Sequence, residues 1–173
     1  MFATLYLPNF YLQAALRHQP ELTLQPVALI DDQDPKPVII QLNQAAEAAN
    51  VRCGMSPSQG LARSLHLIVK TRLRTQEKML GELLLQFAFS LAPYVEATAP
   101  GVCTIQSNAN RNLLRNVERV VDQLRFSDIT AQAGIAPTPD ASLLAAHLAR
   151  PVRQIDDAKD FLAPLPIETL AIA

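Results

Sequence analysis

The sequence predicts an α+β protein: a largely antiparallel sheet covered by helices on one face, with a smaller α/β lobe inserted near its start. Three observations carry this. The second half alternates long helical periodicities with short β-branched runs in the order helix, strand, strand, helix, strand, helix. The first half holds two β-branched runs joined by a turn-rich link, set among short capped helices. The composition, 49% hydrophobic and 18% charged over 173 residues, is that of one domain, or of one domain with a small insertion, able to bury a core.

Phe2 to Leu7 is an apolar run ending at Pro8, and Phe10, Ala14 and Arg17 suit a helix that Asn9 caps. Val27 to Ile30 and Val38 to Gln41 flank Asp31, Asp32, Asp34, Pro35 and Pro37, which reads as a hairpin. Asn43 caps an Ala-rich helix running to Asn50, and Gly54 breaks the chain. Ser56-Pro57-Ser58-Gln59 has the capping-box pattern with Pro at the first helical position. Leu67 to Lys70 is a further strand candidate.

A long amphipathic helix follows from Thr75 to Leu91, with Met79, Leu80, Leu83, Leu84, Phe87 and Leu91 on one face and Pro93 as its stop. Val95 to Thr98 and Val102 to Gln106 read as strands around the Pro100-Gly101 turn. Leu113, Leu114, Val117, Val120, Val121 and Leu124 recur at helical spacing. Ile129 to Ile135 is a strand, and Thr138-Pro139-Asp140 opens a last helix that runs to about Ala149 ahead of Pro151. With residues 2–7 as its first strand, this order matches a ferredoxin-like sheet, and residues 9 to about 73 form the inserted lobe.

The formal net charge of −1 and a pI near 6.3 exclude a strongly basic nucleic-acid binder and leave room only for a regional contact. The longest apolar stretch, Leu83 to Ala92, is interrupted by Gln86 and Ser90 and falls short of the roughly 20 residues that cross a bilayer. No membrane association is expected. MFATLYLPNF lacks a basic segment before its apolar run and a small-residue cleavage site, so the cytoplasm is the expected compartment. Cys53 and Cys103 lie without Cys or His at metal spacing and read as buried free thiols.

The stretch NQAAEAANVRCGM from Asn43 to Met55, the PVALI before it and GIAPTPDASLLA from Gly134 to Ala145 resemble segments of the Y-family, lesion-bypass DNA polymerases of the UmuC and DinB type. The opening MFATLYLPNFYLQAALR resembles the ImuB-type, catalytically inactive branch. The resemblance implies a palm at 1–8 and 74–165, fingers at 9–73 and the truncated start of a thumb at 166–173. It also implies a non-catalytic scaffold in DNA repair and damage-induced mutagenesis by translesion synthesis. The implied partners are primer-template DNA, the sliding clamp, an ImuA-type protein and an error-prone replicative-type polymerase.

Active relatives use Mg²⁺ and a dNTP, because two metal ions beside a triphosphate need hard anionic oxygens. The family's metal-ligand positions fall here on Leu7, Gly101 and Val102, none of which can ligate, so no cofactor is expected. A shift of register brings in no carboxylate: residues 1 to 20 hold no Asp or Glu, and none occurs between Glu96 and Glu118. Glu96 would have to move five positions along a strand and would then face the wrong side. Where active relatives carry Tyr and Arg on the fingers helix this chain has Gln44 and Glu47, and where they carry Lys on the last palm helix it has Leu143. A carboxylate there repels a triphosphate, although Glu47 equally suits a solvated helix surface.

Lys70, Arg72, Arg74 and Lys78 put four cations within nine residues. They read either as phosphate contacts, chiefly Lys70, Arg72 and Arg74, or as a solvated strand edge. Arg111, Arg115 and Arg119 form a solvated helix ridge, and His18, His66 and His147 are isolated from acidic partners at catalytic spacing. Two other readings stay open: an active nucleotidyltransferase with atypical metal ligands, and a protein-binding module whose interface is the apolar segment Ile167 to Ala173.

Overall fold

A computed structural model of the chain describes residues 1–107 and 112–172, with the backbone alone for 170–172. Arg111 and Ala173 lie outside the described residues. The chain divides into two compact units, Met1–Pro8 with Leu80–Ala173, and Asn9–Met79. The later boundary falls inside the long helix near 79, where the sequence places it near 74, and residues 166–173 group with the first unit.

In the first unit, β1 (Phe2–Tyr6), β5 (Tyr94–Ala99), β6 (Val102–Gln106), β7 (Gln132–Ala136) and β8 (Val152–Gln154) form a sheet of order β5-β6-β1-β7-β8. β1 runs antiparallel to both β6 and β7, and β8 is parallel to β7. β8 escapes sequence reading because its three residues carry no alternating apolar pattern. A parallel pair requires a crossover, and the helix α6 (Pro139–His147) supplies it. The β7 strand begins at Gln132 and not Ile129, since the Ile129 N–H is still bonded to the Leu124 carbonyl at the end of the preceding helix, at 3.0 Å.

Side-chain alternation assigns the two faces of the sheet. Thr104, Thr4 and Gly134 lie in one row across β6, β1 and β7, and α6 packs on that face. Ala3, Leu5, Ile105 and Ile135 point the other way and are almost fully buried. The two long helices are α4 (Arg74–Leu91) and α5 (Leu113–Phe126), and α5 lies against β7 and β8. The β7-α6-β8 crossover lays α6 on the Thr4 and Gly134 face of this sheet.

The buried stripe of α4 is Glu77, Leu80, Leu84 and Ala88, at helical spacing. Met79 was expected on it but is 52% exposed, one position off the stripe. Leu114 likewise points outward from α5, while Leu113, Val117, Val120, Val121 and Leu124 are buried. Each fully buried Leu or Val contributes about 1.5–3 kcal/mol by leaving water.

The second unit holds β2 (Val27–Ile30), β3 (Ile39–Leu42) and β4 (Ile68–Thr71) in the order β3-β2-β4, with the predicted hairpin antiparallel and β4 parallel to β2. Each sheet face has its own core. Leu12, Ala15 and Leu16 of α1 (Phe10–Leu16) cover Val27 and Leu29. Ala46 of α2 (Gln44–Ala48), with Val51 and Leu67, covers Ala28, Ile39 and Leu42 on the other side.

The capping box of α3 (Pro57–Arg63) forms as read, with Ser56 and Gln59 reciprocally bonded. Asn43 Oδ1 accepts from the N–H groups of Ala46 and Val27, while its Nδ2 donates to the carbonyls of Thr23 and Gln25. Asn9 does not cap α1: it sits at φ 49°, and its amide donates instead to the Leu42 carbonyl.

Candidate functional site

The three sequence-predicted ligand positions meet at one end of the two central strands. Tyr6, the last residue of β1, pairs with Val102, the first of β6. One residue further, the Leu7 N–H donates to the Gly101 carbonyl at 2.8 Å. Gly101 adopts φ 75°, the left-handed conformation that the turn into β6 requires and that glycine alone takes without strain. Leu7 is fully buried, Val102 is 7% exposed, and Gly101 is buried too.

Glu96 does not approach this place. It pairs with Thr104, two residues up β6 from Val102 and one strand further out, and it is exposed. That separation is about 7 Å along the strand alone.

Sequence reading missed a chain of hydroxyls beneath α6. Ser142 Oγ donates to the Pro139 carbonyl at 2.7 Å, so its oxygen accepts the Thr4 hydroxyl at 2.7 Å. Thr4 in turn accepts from Thr104 at 3.2 Å. Thr4 and Ser142 are fully buried, and this relay satisfies both. The only sequence signal was a Thr or Ser inside otherwise apolar segments.

Nearby, Tyr6 and His147 stack with ring centroids 4.0 Å apart. Burial pushes the Tyr6 hydroxyl up and holds the His147 imidazole below its ordinary value. Leu143 of α6 is half-buried.

The cations proposed for phosphate contact lie in the second unit, and each of the three has a protein partner. Arg72 is enclosed. Its Nε and one terminal nitrogen donate to both oxygens of Glu77 at 2.9 and 2.6 Å, and its other terminal nitrogen donates to Asp31 at 3.3 Å. Its guanidinium carbon lies 3.8 Å from the centre of the Tyr11 ring. With only 14% of its side chain exposed, this arginine ties α1, the β2 end and the start of α4 together.

Arg74 is 45% exposed and bonds Asp31 at 2.7 Å. The backbone N–H of Gln33, burial and then Arg74 act on the Asp31 carboxyl, with a net downward shift. Lys70 donates to the Gln19 amide oxygen at 2.8 Å. Tyr11, Asp31 and Glu77 had no signal in the sequence beyond their charge or ring, since their convergence is tertiary.

Gln44 and Glu47 are exposed on α2, and Arg115 and Arg119 are exposed on α5. Both cysteines are free thiols. Cys103 is buried, its thiol pushed up to about 11 by burial, whereas Cys53 is exposed, contrary to its reading as a core residue. Cys53 follows the turn after α2, and its thiol donates to the Ile40 carbonyl at 3.5 Å.

The pattern of the impB/mucB/samB family matches residues 5–147. The chain belongs to that family. No curated protein matches it by sequence. Among solved structures, this impB/mucB/samB chain resembles a post-insertion binary complex of Dbh DNA polymerase, with a TM-score of 0.86 and 16% identity over 97% of this chain and 52% of that one. It also resembles DinB from Sulfolobus solfataricus, with a TM-score of 0.85 and 15% identity over 97% and 52% of the two chains. An insertion ternary complex of Dbh matches at 0.85 with 15% identity, over 97% and 53%.

The chain spans about half the length of these structures. Its α+β fold is that of the Y-family polymerases. The family's divalent cations do not fit the residues present. Leu7 and Val102 offer hydrocarbon and Gly101 offers no side chain, where Mg²⁺ requires oxygen ligands. Among the described residues, no group of three His, Cys, Asp or Glu side chains is placed to hold a metal ion, and no helix is long and apolar enough to cross a membrane.

Proposed function

We propose that this chain is a non-catalytic Y-family polymerase homologue that serves as a scaffold in DNA repair and damage-induced mutagenesis, the ImuB-type role in translesion synthesis. One observation carries the reading: Leu7, Gly101 and Val102 come together at the strand end where the fold would hold its metals, and none is a ligand. Two-metal phosphoryl transfer stabilises attacking and leaving oxygens through cations, and an aliphatic strand end supplies no substitute for that charge. Gln44 and Glu47 support the same reading, because an exposed carboxylate on α2 disfavours a triphosphate.

In this role the chain works by contact. The proposed partners are primer-template DNA, a sliding clamp, an ImuA-type protein and an error-prone replicative-type polymerase, in the cytoplasm. Of the three candidate DNA contacts, Lys70 and Arg74 are the ones able to exchange a partner for phosphate. Arg72 is held by two carboxylates and a ring.

The test is dNTP incorporation on a primer-template with Mg²⁺ or Mn²⁺, using the longest natural chain. Primers are expected to stay unextended by a protein that binds the same DNA. Templated extension by the unmodified protein would overturn the proposal.

A further inference from the structure

We propose that the strand end where the family holds its metals is, in this chain, a closed part of the apolar core, so that restoring the carboxylates does not restore a metal site. This rests on the non-catalytic reading and goes past it: the place is filled and not merely stripped of ligands.

Three features argue for it. Leu7 is fully buried and follows Ala3 and Leu5, both fully buried, along the same side of β1. A side chain there has exchanged water for hydrocarbon, and a carboxylate in its place would lose its hydration without gaining a cation from the chain, since residues 1–20 and 97–117 supply no second carboxylate to help draw a metal in. Gly101, the second position, is fixed at φ 75°, and its carbonyl already accepts the Leu7 N–H at 2.8 Å. Any side chain there strains the turn that joins β5 to β6. Val102, the third, is 7% exposed and paired with Tyr6, which itself stacks on His147. A longer acidic side chain must displace these neighbours before it reaches solvent.

Glu96, the nearest carboxylate in sequence, belongs to a different row and is exposed at the sheet edge. The closure is therefore a property of all three positions together, and it predicts that ligand restoration fails through folding before it fails through chemistry.

The experiment compares the unmodified chain with Leu7→Met, Leu7→Asp and the triple variant Leu7→Asp, Gly101→Asp, Val102→Glu. Thermal unfolding is followed with and without Mn²⁺, and bound Mn²⁺ is counted by electron paramagnetic resonance. Leu7→Met keeps the volume and is expected to melt within about 3 °C of the parent. Leu7→Asp is expected to melt about 10 °C lower or more, as an unpaired buried charge demands. The triple variant is expected to melt lower still, or to yield no folded protein where Leu7→Met does, and to bind no Mn²⁺.

A Leu7→Asp variant melting within about 3 °C of the parent would overturn the inference. So would a folded triple variant that binds Mn²⁺ and melts higher in its presence. The two readings fail separately: primer extension by the parent sinks the non-catalytic reading, whereas Mn²⁺ capture by the triple variant sinks only this one.

Discussion

Helix α6 packs closely against the central sheet at Gly134, and adding one methyl group there tests the packing directly. A Cβ built at Gly134 would lie against the backbone of Ser142 and Ala146 and 2.7 Å from the carbonyl carbon of Ala145. These are backbone atoms of a packed helix, so the whole of α6 must lift. Ser142 then withdraws from Thr4, whose hydroxyl it accepts at 2.7 Å, and a buried polar pair is left short of a partner. Overpacking costs about 3 kcal/mol at the upper end of its usual range, while Gly→Ala returns about 0.4–1 kcal/mol by stiffening the unfolded chain.

The net loss for Gly134→Ala is about 2 kcal/mol or more, equivalent to about 4–8 °C in Tm for a chain of this size. Gly81→Ala is the control. It lies within α4 with nothing inside 4 Å of the added Cβ, so helix propensity dominates and stability rises by about 0.5–1 kcal/mol. The assay is thermal unfolding of both variants by circular dichroism, with calorimetry to confirm a single cooperative transition. Shifts of the same sign in the two variants, or a Gly134→Ala melt within 1 °C of the parent (about 0.3 kcal/mol), would refute the packing argument.

Two further outcomes follow from the same structure. Asn43→Ala removes two accepted and two donated hydrogen bonds that join α2 to β2 and the preceding turn, and is expected to cost about 2 kcal/mol in urea unfolding. Asn43→Asp keeps the accepting half and should lose about half as much; equal loss in both variants would place the stabilisation elsewhere. His147 has its imidazole pKa lowered from the ordinary 6.5 by burial, so the unfolded chain takes up its proton first as pH falls. The stability it contributes is complete above about pH 6.5 and is lost as pH falls from there toward the folded value. His147→Phe, which keeps a ring on Tyr6, is expected to flatten the fall in Tm between pH 7.5 and about 5.5, and an unchanged slope would count against this linkage.

Local signals in the sequence translated into structure where a short-range interaction decides the outcome. The capping box at Ser56, the Asn43 cap, the hairpin around Asp31 to Pro37 and the buried stripe of α5 all depend on residues within a few positions of one another. Several failures trace to a partner outside the local pattern. Asn9 reads as a helix cap, but Leu42 claims its amide. Met79 reads as core, while the neighbouring Glu77 is buried because Arg72 neutralises it. Arg72 itself reads as one of four cations at a strand edge, and only folding shows two carboxylates and a ring around it. β8 has no pattern of its own and exists because β7 offers an edge for it to pair with.

The candidate site divides along the same line. That no Asp or Glu occurs in residues 1–20 or 97–117 is a fact of the sequence alone, and no fold can place a side chain that the chain lacks. It makes Leu7, Gly101 and Val102, the positions expected from the resemblance to hold ligands, non-acidic. Whether those positions are an open cleft awaiting ligands or a packed strand end could not be read there, because burial depends on pairing β1 with β6, nearly 100 residues apart. Tertiary structure decided that Leu7 is fully enclosed, that Gly101 spends its carbonyl on the Leu7 N–H and that Arg72 is bound within its own unit. Residue type sets which chemistry is possible, and the water and charge left around each residue by long-range packing set which of it survives.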